Sequence, residues 1–348
     1  MADWSELPKD LLQLISEKLN NHFYILRFRS VCSSWRLSTP KPRNYFPLKL
    51  PHFSRRNKLY NHTIFLIKPP ATPNQQTLYR PWLVRICRTS TGKFNLFHPL
   101  SRHRLNIPSD SRVLDFSQLS VFNIEQIYIC GESYQNSSTI EFCHYDRSVA
   151  TFHREPILEI VTSNRNSEEM LMFRRKGNGL TKIPNVSSFY RGMCIFKGRP
   201  CLTDYTGRTV MIGSNLSVHL VAEPVLGFDF HGDIYIMVEN ESELLLVQKY
   251  DKYEPIDVFR LDQKEKRWLK LENLGDMILF LGRGYSFAIS ASDLDLDNRN
   301  SVIYCSNYIR NEIRVFPLDQ HRTFLLSDYP DYFKLFWPPP EWITSRCL

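Results

Sequence analysis

The most regular arrangement of chemically active side chains is an acidic run late in the chain. Asp293, Asp295 and Asp297 alternate with leucines and are followed by Asn298, which is how a calcium-binding EF-hand loop begins. Such a loop needs glycine at its sixth position and a bidentate glutamate at its twelfth. This chain has Asn298 and Tyr304 there. We therefore interpret the run as an acidic turn between strands and not as a calcium site.

The other patterns that could support catalysis are incomplete. Gly282 and Gly284 resemble the start of a glycine-rich phosphate loop, but the third glycine and the strand–helix–strand context are missing. The sequence contains neither a GxSxG nucleophile motif nor an HExxH zinc motif. Cys143 and His144 are neighbours, and neighbouring strand residues point to opposite faces of a sheet. We predict a protein that is not an enzyme, with no catalytic residues and no cofactor.

The cysteines do not have the spacing of a metal site. A structural zinc site needs ligands in short pairs, so that four of them converge on one ion. The chain contains no Cys-x-x-Cys pair, and its ten histidines are scattered. We predict no bound metal, and reduced, mostly buried thiols at Cys32, Cys87, Cys130, Cys143, Cys194, Cys201, Cys305 and Cys347.

Length and composition predict a small module plus one large folded domain. The chain has 348 residues, of which 43% are hydrophobic and 13% aromatic, which is enough to bury a sizeable core. No run approaches the roughly 20 apolar residues that cross a bilayer. The N-terminal MADWSELPKD lacks the basic and apolar regions of a secretory signal. We expect the protein in the nucleus, the cytoplasm or both.

The elements that could position functional side chains begin with a short helical module. In LPKDLLQLISEKL the apolar residues recur at helical spacing, and Pro8 suits a first turn because its missing N–H is not needed there. A second helix is predicted over Phe23 to Arg29. A third is predicted around Val31 to Leu37, with Ser30 as its cap. Residues 1–40 are therefore predicted to be three short helices.

Beyond residue 60 the pattern changes to short strands separated by turn residues. Apolar runs recur at intervals of roughly 8–12 residues, with turns such as Lys197-Gly198 between them, and indicate an all-β domain. About 280 residues of such hairpins exceed a simple sandwich, whereas blades of about 40–50 residues predict a β-propeller of about six blades. The clearest predicted strands cover 83–88, 93–97, 170–174, 193–196, 234–238 and 277–281.

One near-repeat also favours blades. VFRLDQ at 258–263 returns as VFPLDQ at 315–320, an offset of 57 residues.

Between the helices and the strands, the chain is rich in proline, arginine, lysine and asparagine. We therefore predict a linker over residues 41–60 and a propeller over 61–345.

The helical module has more apolar surface than a unit of its size can bury. About 40 residues form only a small core of their own, so something else must cover the remaining side chains. One alternative is that the module packs permanently on the β-domain. The other is that its helices dock into a groove of a second protein.

The helical residues resemble the F-box family. LPKDLLQLISEKL and LRFRSVCSSWR reproduce its Leu-Pro before an apolar helix and its Arg-x-Arg-x-Val-Cys-x-x-Trp-Arg segment. The resemblance implies binding to the small Skp-type adaptor of SCF (Skp–cullin–F-box) ubiquitin ligases and, through it, to a cullin. It implies that the docking face and its supporting residues are Leu7, Pro8, Leu11, Leu12, Ile15, Leu19, Val31, Cys32 and Trp35.

The remaining residues resemble the KIB-type propeller of plant F-box proteins, the group that includes SKIP-like F-box proteins. The similarity is sharpest in LGRGYSFAISASD, NSVIYCSNY, RVFPLDQ and WPPPEW. It implies the substrate-recognition subunit of an SCF-type E3 ubiquitin ligase, which recruits an unidentified protein for ubiquitylation and proteasomal degradation. Some relatives are thought to bind and inhibit a kinase, so a protein that only sequesters its target is the alternative.

The charge distribution raises a third hypothesis. The net charge is +8, and no Asp or Glu lies between Lys18 and Arg104. A block of one sign favours an acidic partner or nucleic acid. A solvated basic face is the simpler explanation, and no zinc knuckle, RNA-recognition motif or helix-turn-helix is visible. We expect neither nucleic acid nor a membrane as a partner.

Overall fold

A computed structural model describes most of the helices and strands of the chain. The described residues are 4–19, 22–39, 48–49, 58–68, 80–88, 94–101, 103–105, 119–131, 150–154, 157–164, 169–174, 179–184, 186, 190–225, 234–240, 242–250, 255–282, 285–307, 312–336 and 338. Of the WPPPEW segment, only Pro338 is among them.

Three α-helices form the N-terminal module, after a short 3-10 turn at Trp4–Glu6. They are α1 (Lys9–Lys18), α2 (His22–Ser30) and α3 (Ser33–Ser38). The predicted start of the third helix is wrong. Ser30 is the last residue of α2, because its hydroxyl donates to the carbonyl oxygen of Arg27 (2.7 Å) in the preceding turn. Extended Cys32 precedes α3 instead.

The β-domain contains 22 strands among the described residues. They are β1 (Leu48–Lys49), β2 (Lys58–Lys68), β3 (Trp82–Arg88), β4 (Phe94–Phe97), β5 (Ser120–Gly131), β6 (Ala150–Arg154), β7 (Ile157–Asn164), β8 (Glu169–Arg174), β9 (Gly179–Lys182), β10 (Tyr190–Phe196), β11 (Arg199–Asp204), β12 (Thr209–Ile212), β13 (Val218–Ala222), β14 (Ile234–Asn240), β15 (Glu243–Lys249), β16 (Ile256–Asp262), β17 (Arg267–Leu271), β18 (Met277–Leu281), β19 (Ser286–Ser290), β20 (Ser301–Asn307), β21 (Glu312–Pro317) and β22 (Phe324–Leu325). Helix α4 (Pro330–Phe336) follows.

The described strands form five sheets. Sheet 1 contains β1–β5, sheet 2 β6–β9, sheet 3 β10–β13, sheet 4 β14–β17 and sheet 5 β18–β22. The predicted all-β class is confirmed, but about six blades is wrong. The chain from Leu48 to Leu325 uses roughly 56 residues per sheet, more than the blade length of about 40–50 assumed from repeat families. The 57-residue spacing of the near-repeat was the better guide, because it matches one sheet.

The five sheets close into a ring, which makes the domain a propeller. The inner strands are β5, β6, β10, β14 and β19, and each contacts the inner strands of the two neighbouring sheets. The near-repeat begins in β16 and in β21, and each of these is the second strand of its sheet counted from the outer edge. The repeat therefore marks equivalent outer positions in two blades.

Apolar residues on both faces of a strand show how the blades stack. In β15, Leu245 and Val247 pack in a cluster shared with sheet 5, whereas Leu244 and Leu246 pack in a cluster shared with sheet 3. Because successive side chains point to opposite faces, a strand covered on both sides becomes a continuous apolar run. The run ELLLVQK is therefore largely apolar because both of its faces are buried, as they are in a strand of a parallel sheet. Its pairing with β14 is nevertheless antiparallel.

The first and last sheets hold the ring together through polar and apolar contacts. Arg85 of β3 is buried; it donates to the carbonyl of Ser101 (2.6 Å) and to the hydroxyl of Tyr285 (3.1 Å), which precedes β19. The indole of Trp82 donates to the carbonyl of Phe336 at the end of α4 (3.2 Å). Side chains of both sheets and α4 share one core, which includes Ile64, Leu66, Leu83, Ile278, Phe280, Phe287 and Leu335.

The acidic run is a turn, as predicted. It lies between β19 and β20 and begins with a 3-10 turn at Ser292–Leu294. Asp293 accepts a hydrogen bond from Ser290 (2.7 Å) and pairs with Lys68 of β2 (3.6 Å), while Asp295 has a left-handed backbone with φ 54°. Within the described ranges, no group of three or more His, Cys, Asp and Glu side chains is arranged to hold a metal ion.

The helices that the structure describes are all too short or too polar to cross a bilayer.

Candidate functional site

The helical module has a small core that fixes the angles of its helices. Leu12 of α1 is fully buried and Phe28 of α2 is nearly so. The ring of Phe28 lies 4.4 Å from that of Trp35 in α3, and the Trp35 indole donates to the carbonyl oxygen of Trp4 (3.0 Å). Side chains of α2 and α3 and the backbone of the entry turn therefore meet.

Hydrogen bonds between the backbone and two arginines join α2 to α3. The guanidinium of Arg29 donates to the carbonyls of Arg36 (3.1 Å) and Thr39 (2.7 Å), and Arg36 donates back to the carbonyl of Arg29 (3.2 Å). These carbonyls lie near helix ends, where the backbone has no helical partner. Arg29 and Arg36, which belong to the Arg-x-Arg-x-Val-Cys-x-x-Trp-Arg segment, therefore cap helices. They are not free for an acidic ligand.

Helix α1 has an exposed apolar face next to its buried one. Leu11, Leu14 and Ile15 remain 48%, 58% and 41% exposed, although they occupy neighbouring positions at i, i+3 and i+4. Leu12 and Ser16 form the buried face, and the polar residues of the helix cover the third side. An amphipathic helix normally hides its apolar stripe; α1 has a second stripe that faces solvent.

The exposed apolar surface continues around the module. Leu26 of α2 is exposed, Val31 lies in the connection to α3, and Leu37 and Trp4 are 81% and 66% exposed. Single exposed leucines are ordinary, but a cluster of large apolar side chains on one small unit marks an interaction surface. We call the set Trp4, Leu11, Leu14, Ile15, Leu26, Val31 and Leu37 the exposed apolar surface.

The structure distributes the predicted docking residues between this surface and its support. Pro8, Leu11, Ile15 and Val31 are exposed. Leu12 is in the module core, and partly buried positions are occupied by Leu7, Leu19, Cys32 and Trp35. Sequence reasoning omitted Trp4, Leu14, Leu26 and Leu37. Leu14 could have been found, since it lies three residues after Leu11 on the same helical stripe.

The module attaches to the propeller by α2 and leaves α1 uncovered. Arg27 donates to the carbonyl of Leu119, and the hydroxyl of Tyr24 accepts from the backbone N–H of Val121 (3.3 Å) at the start of β5. The Arg27 guanidinium also lies over the Tyr24 ring (5.3 Å). The contact with the β-domain therefore uses polar atoms of α2. It does not cover the exposed leucines of α1, which remain open to a second protein.

Two glutamates and a cysteine lie on the inner strands that surround the propeller channel. Glu125 of β5 and Glu239 of β14 come from sheets that are not neighbours, so their mutual electrostatic effect acts across the channel. Burial and then the Glu239 charge raise the pKa of Glu125 to about 7, although a backbone hydrogen bond from Gln126 opposes this. Burial raises the pKa of Glu239 as well, and burial and nearby acidic groups raise the pKa of the Cys194 thiol.

Comparisons with known families match both parts of the chain. The family model described as F-box domain matches residues 4–46, which include the three helices. The model described as KIB1-4 beta-propeller matches residues 50–321, more than half of the chain. The chain is an F-box protein of the KIB1-4 β-propeller family. The family predicted from the sequence is thereby confirmed.

Plant F-box proteins are similar to this F-box–propeller chain along nearly its whole length. F-box protein SKIP23 of Arabidopsis thaliana is 30% identical over 402 aligned residues, which cover 99% of this chain and 97% of the relative. F-box protein At2g17036 of the same plant is 29% identical over 402 residues, covering 99% and 96%. Both alignments therefore span the helical module and the propeller of this chain.

Proposed function

We propose that this F-box protein is the substrate-recognition subunit of an SCF-type E3 ubiquitin ligase. F-box proteins generally serve in that role, by joining a Skp-type adaptor and its cullin to a protein target. The observation that supports the proposal best is the exposed apolar surface of a module whose sequence matches the F-box domain. In this role the propeller binds the target, which is then ubiquitylated and degraded.

The proposal assigns different roles to the predicted docking residues. Leu11, Ile15, Val31 and Pro8 would contact the adaptor directly, together with the additional surface residues. Leu12 would act from the core by fixing the angle of α1, as would Trp35 through its contact with Phe28. Leu7, Leu19 and Cys32, which are partly buried, would form the border of the contact.

The exposed apolar surface is large enough for a stable contact. Each of its seven side chains still has roughly half of its area to bury, at about 1 kcal/mol or a little more apiece, for about 7–10 kcal/mol gross. Association entropy opposes part of this gain. Because that cost is about 4–15 kcal/mol, the apolar surface offsets a loss of the same order and supports binding without a polar hot spot.

The proposal also includes the domain limits and the absence of a catalytic role. It assigns residues 1–40 to the F-box, 41–60 to a linker and 61–345 to the target-binding propeller. The chain would bring target and ligase together without performing chemistry, in the nucleus, the cytoplasm or both, where SCF ligases and the proteasome work.

Replacement of Leu11 by aspartate tests the docking assignment. The full chain is co-expressed with a tagged plant Skp-type adaptor, and the amount retained on the tag is measured. Leu11→Asp and Pro8→Asp place a charge in an apolar contact, which costs several kcal/mol, so we expect at least a tenfold loss of retained chain. Circular dichroism should show an unchanged β signal, because neither residue packs in the module core or on the propeller.

Gln13→Asp is the matched control on the same helix. Gln13 lies on the polar side of α1, where its side chain donates to Glu17 (3.0 Å), so its replacement should change retention by less than twofold. Wild-type retention of both Leu11→Asp and Pro8→Asp would reject the docking assignment. A cellular effect on the target that persists when the F-box is deleted, with the target level unchanged, would favour sequestration over ubiquitylation.

A further inference from the structure

A polar pocket with a volume of about 550 Å³ lies where sheets 4 and 5 meet. Its walls come from three loops: the turn between β17 and β18, the segment that precedes β20, and the turn that follows β21. A volume of this size lies within the usual range of ligand sites, roughly 300–1,000 Å³. No residue predicted from the sequence as a binding residue lies in these walls.

The described walls carry more negative than positive charge. Asp276, Asp297 and Asp319 face a single basic residue, Arg299. Asp276 accepts hydrogen bonds from Ser292 (2.7 Å from its hydroxyl). Asp297 and Asp319 form no ion pair with any residue that the structure describes, and neither does Arg299. Among the described residues, Asp297 and Asp319 are therefore carboxylates without an ion pair, in a protein whose net charge is positive.

Asn300 holds the three loops in a fixed arrangement. Its side-chain oxygen accepts from the backbone N–H of Leu274 (2.8 Å), and its backbone carbonyl accepts from the N–H of Leu318 (3.0 Å). Asn300 is buried and has a left-handed backbone with φ 55°, a conformation that asparagine tolerates better than most residues. The pocket is thus preformed, so that binding would cost little loop ordering.

A buried hydroxyl beneath the pocket has no hydrogen bond of normal geometry. Tyr332 is fully buried, and its hydroxyl lies beside Ser301 and close to Asp319, both of which line the pocket. Burial raises the pKa of this tyrosine to about 12. The hydroxyl instead interacts with the side chain of Ser301, which lies in the pocket wall.

The pocket opens at the end of the propeller to which the F-box attaches. Lys68 at the end of β2 pairs with Asp293 (3.6 Å), in the loop that continues into the pocket wall. Lys68 also lies opposite Ser120 at the start of β5, next to Leu119 and Val121, which contact α2. A ligand in this pocket would therefore face the same side as the F-box and remain accessible to a large partner.

From these features we infer that the pocket receives a basic side chain, arginine or lysine, of the protein target. This inference rests on the proposed function, because it assigns part of the target-binding surface. Arginine and lysine are donors without acceptors, and the pocket offers carboxylates, amide oxygens and a hydroxyl as acceptors. A bound metal ion does not fit as well, since three protein ligands in metal-binding geometry are absent from the described residues.

A peptide library can test this inference before the target is known. Peptides with random flanks and a fixed central Arg, Lys, Gln or Glu are passed over the immobilised full chain, with and without its Skp-type adaptor, and the retained peptides are sequenced. We expect Arg- and Lys-centred peptides to be enriched at least tenfold over Gln-centred ones at low salt. The enrichment should fall as salt screens exposed charges.

Charge-neutral variants identify the pocket. Asp297→Asn and Asp319→Asn should each lower the enrichment by roughly two- to fivefold, and the double variant by about tenfold. Asp295→Asn is the matched control, because it removes the same charge from the same loop, outside the pocket walls. It should change the enrichment by less than twofold.

Three results would contradict the inference. Each of them can be distinguished from failure of the proposed ligase function. Equal retention of Arg-, Lys- and Gln-centred peptides, or an effect of Asp295→Asn as large as that of the double variant, would overturn it. Loss of the enrichment in 1 mM CaCl2, but not in matched NaCl, would assign the pocket to a metal ion instead. Adaptor retention is measured in parallel; if only that fails, the ligase role is wrong and the peptide result still decides the pocket.

Discussion

Glu125 and Glu239 show how one largely but not fully buried side chain can make stability depend on pH. The pKa of Glu125 is raised to about 7 from an ordinary value of 4.5, so between these pH values the folded state holds a proton that the unfolded state has lost. Stability contributed by this proton therefore decreases as the pH rises from 4.5 to 7. Above pH 7 the folded chain keeps a charged, poorly solvated carboxylate.

We therefore predict that Glu125→Gln stabilises the protein at neutral pH and above. Each pKa unit corresponds to 1.36 kcal/mol; because the side chain is partly exposed, we expect a gain of about 1–3 kcal/mol at pH 8 that disappears near pH 4.5. The gain is measured as the difference between the urea denaturation curves of variant and wild type across that range.

The variant must be compared with wild type at each pH, because buried histidines change the pH dependence of stability in the opposite direction. Burial lowers the pKa of His98 to about 3, so His98 makes wild-type stability rise between about pH 3 and 6.5. Glu265→Gln, at an exposed turn, is the control and should leave the difference near zero. A difference for Glu125→Gln that stays constant from pH 5 to 8 would show that Glu125 is not buried against a second carboxylate.

Residue-scale features were the least predictable from the sequence. The pocket aspartates lie in turns 21 and 22 residues apart, from Asp276 to Asp297 and from Asp297 to Asp319, and no spacing rule relates such turns before the strand order is known. Leu14 is different, since the helical period alone places it beside Leu11. Local periodicity is readable in a sequence, whereas convergence of separate loops is not.

At the scale of elements, the sheet contacts depend on a buried arginine. Arg85 joins β3 to the segment before β19, and its guanidinium also lies over the rings of Phe97 (5.1 Å) and Tyr285 (5.6 Å). The Tyr285 hydroxyl donates in turn to the carbonyl of Pro99 (2.6 Å). This chain of contacts links the first and last sheets of the ring, where the chain itself provides no covalent closure.

We predict that Arg85→Ala weakens ring closure and destabilises the protein by about 2–4 kcal/mol. The substitution leaves the Ser101 carbonyl without its donor and creates a cavity between sheets 1 and 5. The midpoint of denaturant unfolding measures the effect. Arg104→Ala is the control beside β4, because the exposed Arg104 side chain donates to Asn95 (2.8 Å) and its loss should cost less than about 0.5 kcal/mol. Equal midpoints for the two variants would contradict this role of Arg85.

The elements themselves were predicted well where local signals decide them. The strand at Met277–Leu281 has the predicted bounds, and the Lys197-Gly198 turn has the positive φ values, 51° and 71°, of a two-residue hairpin. The sheet number was wrong because it depends on how many residues each blade uses, and the chain between strands varies. Ser30 was misassigned because serine can either cap a following helix or bond back into a preceding one.

At the scale of the whole molecule, part of the basic block has a structural use. Arg27, Arg29 and Arg85 lie in the stretch without acids, and each donates to backbone carbonyls. Lys68 pairs with Asp293. A basic stretch that joins helices, module and sheets leaves fewer cations for a phosphate backbone, which is the physical argument against a nucleic acid partner. The expectation that none binds remains a prediction.

The two parts of the molecule divide the proposed work. The F-box contacts the propeller through α2 and presents α1 to solvent, while the acidic pocket opens at the same end of the ring. The exposed apolar surface is thus free for one protein, and the pocket for another. In the proposed function, this division would place ligase and target side by side without requiring a change in either fold.

Hydrogen–deuterium exchange of the full chain with and without its Skp-type adaptor tests the central claim most directly. We predict that adaptor binding slows exchange of backbone amides within residues 9–38, most strongly in α1, where Leu11, Leu14 and Ile15 become covered. The amides of β15 and β18 should be unchanged. Unaltered exchange throughout residues 9–38, or protection confined to the propeller, would contradict the claim that the exposed apolar surface is the docking site.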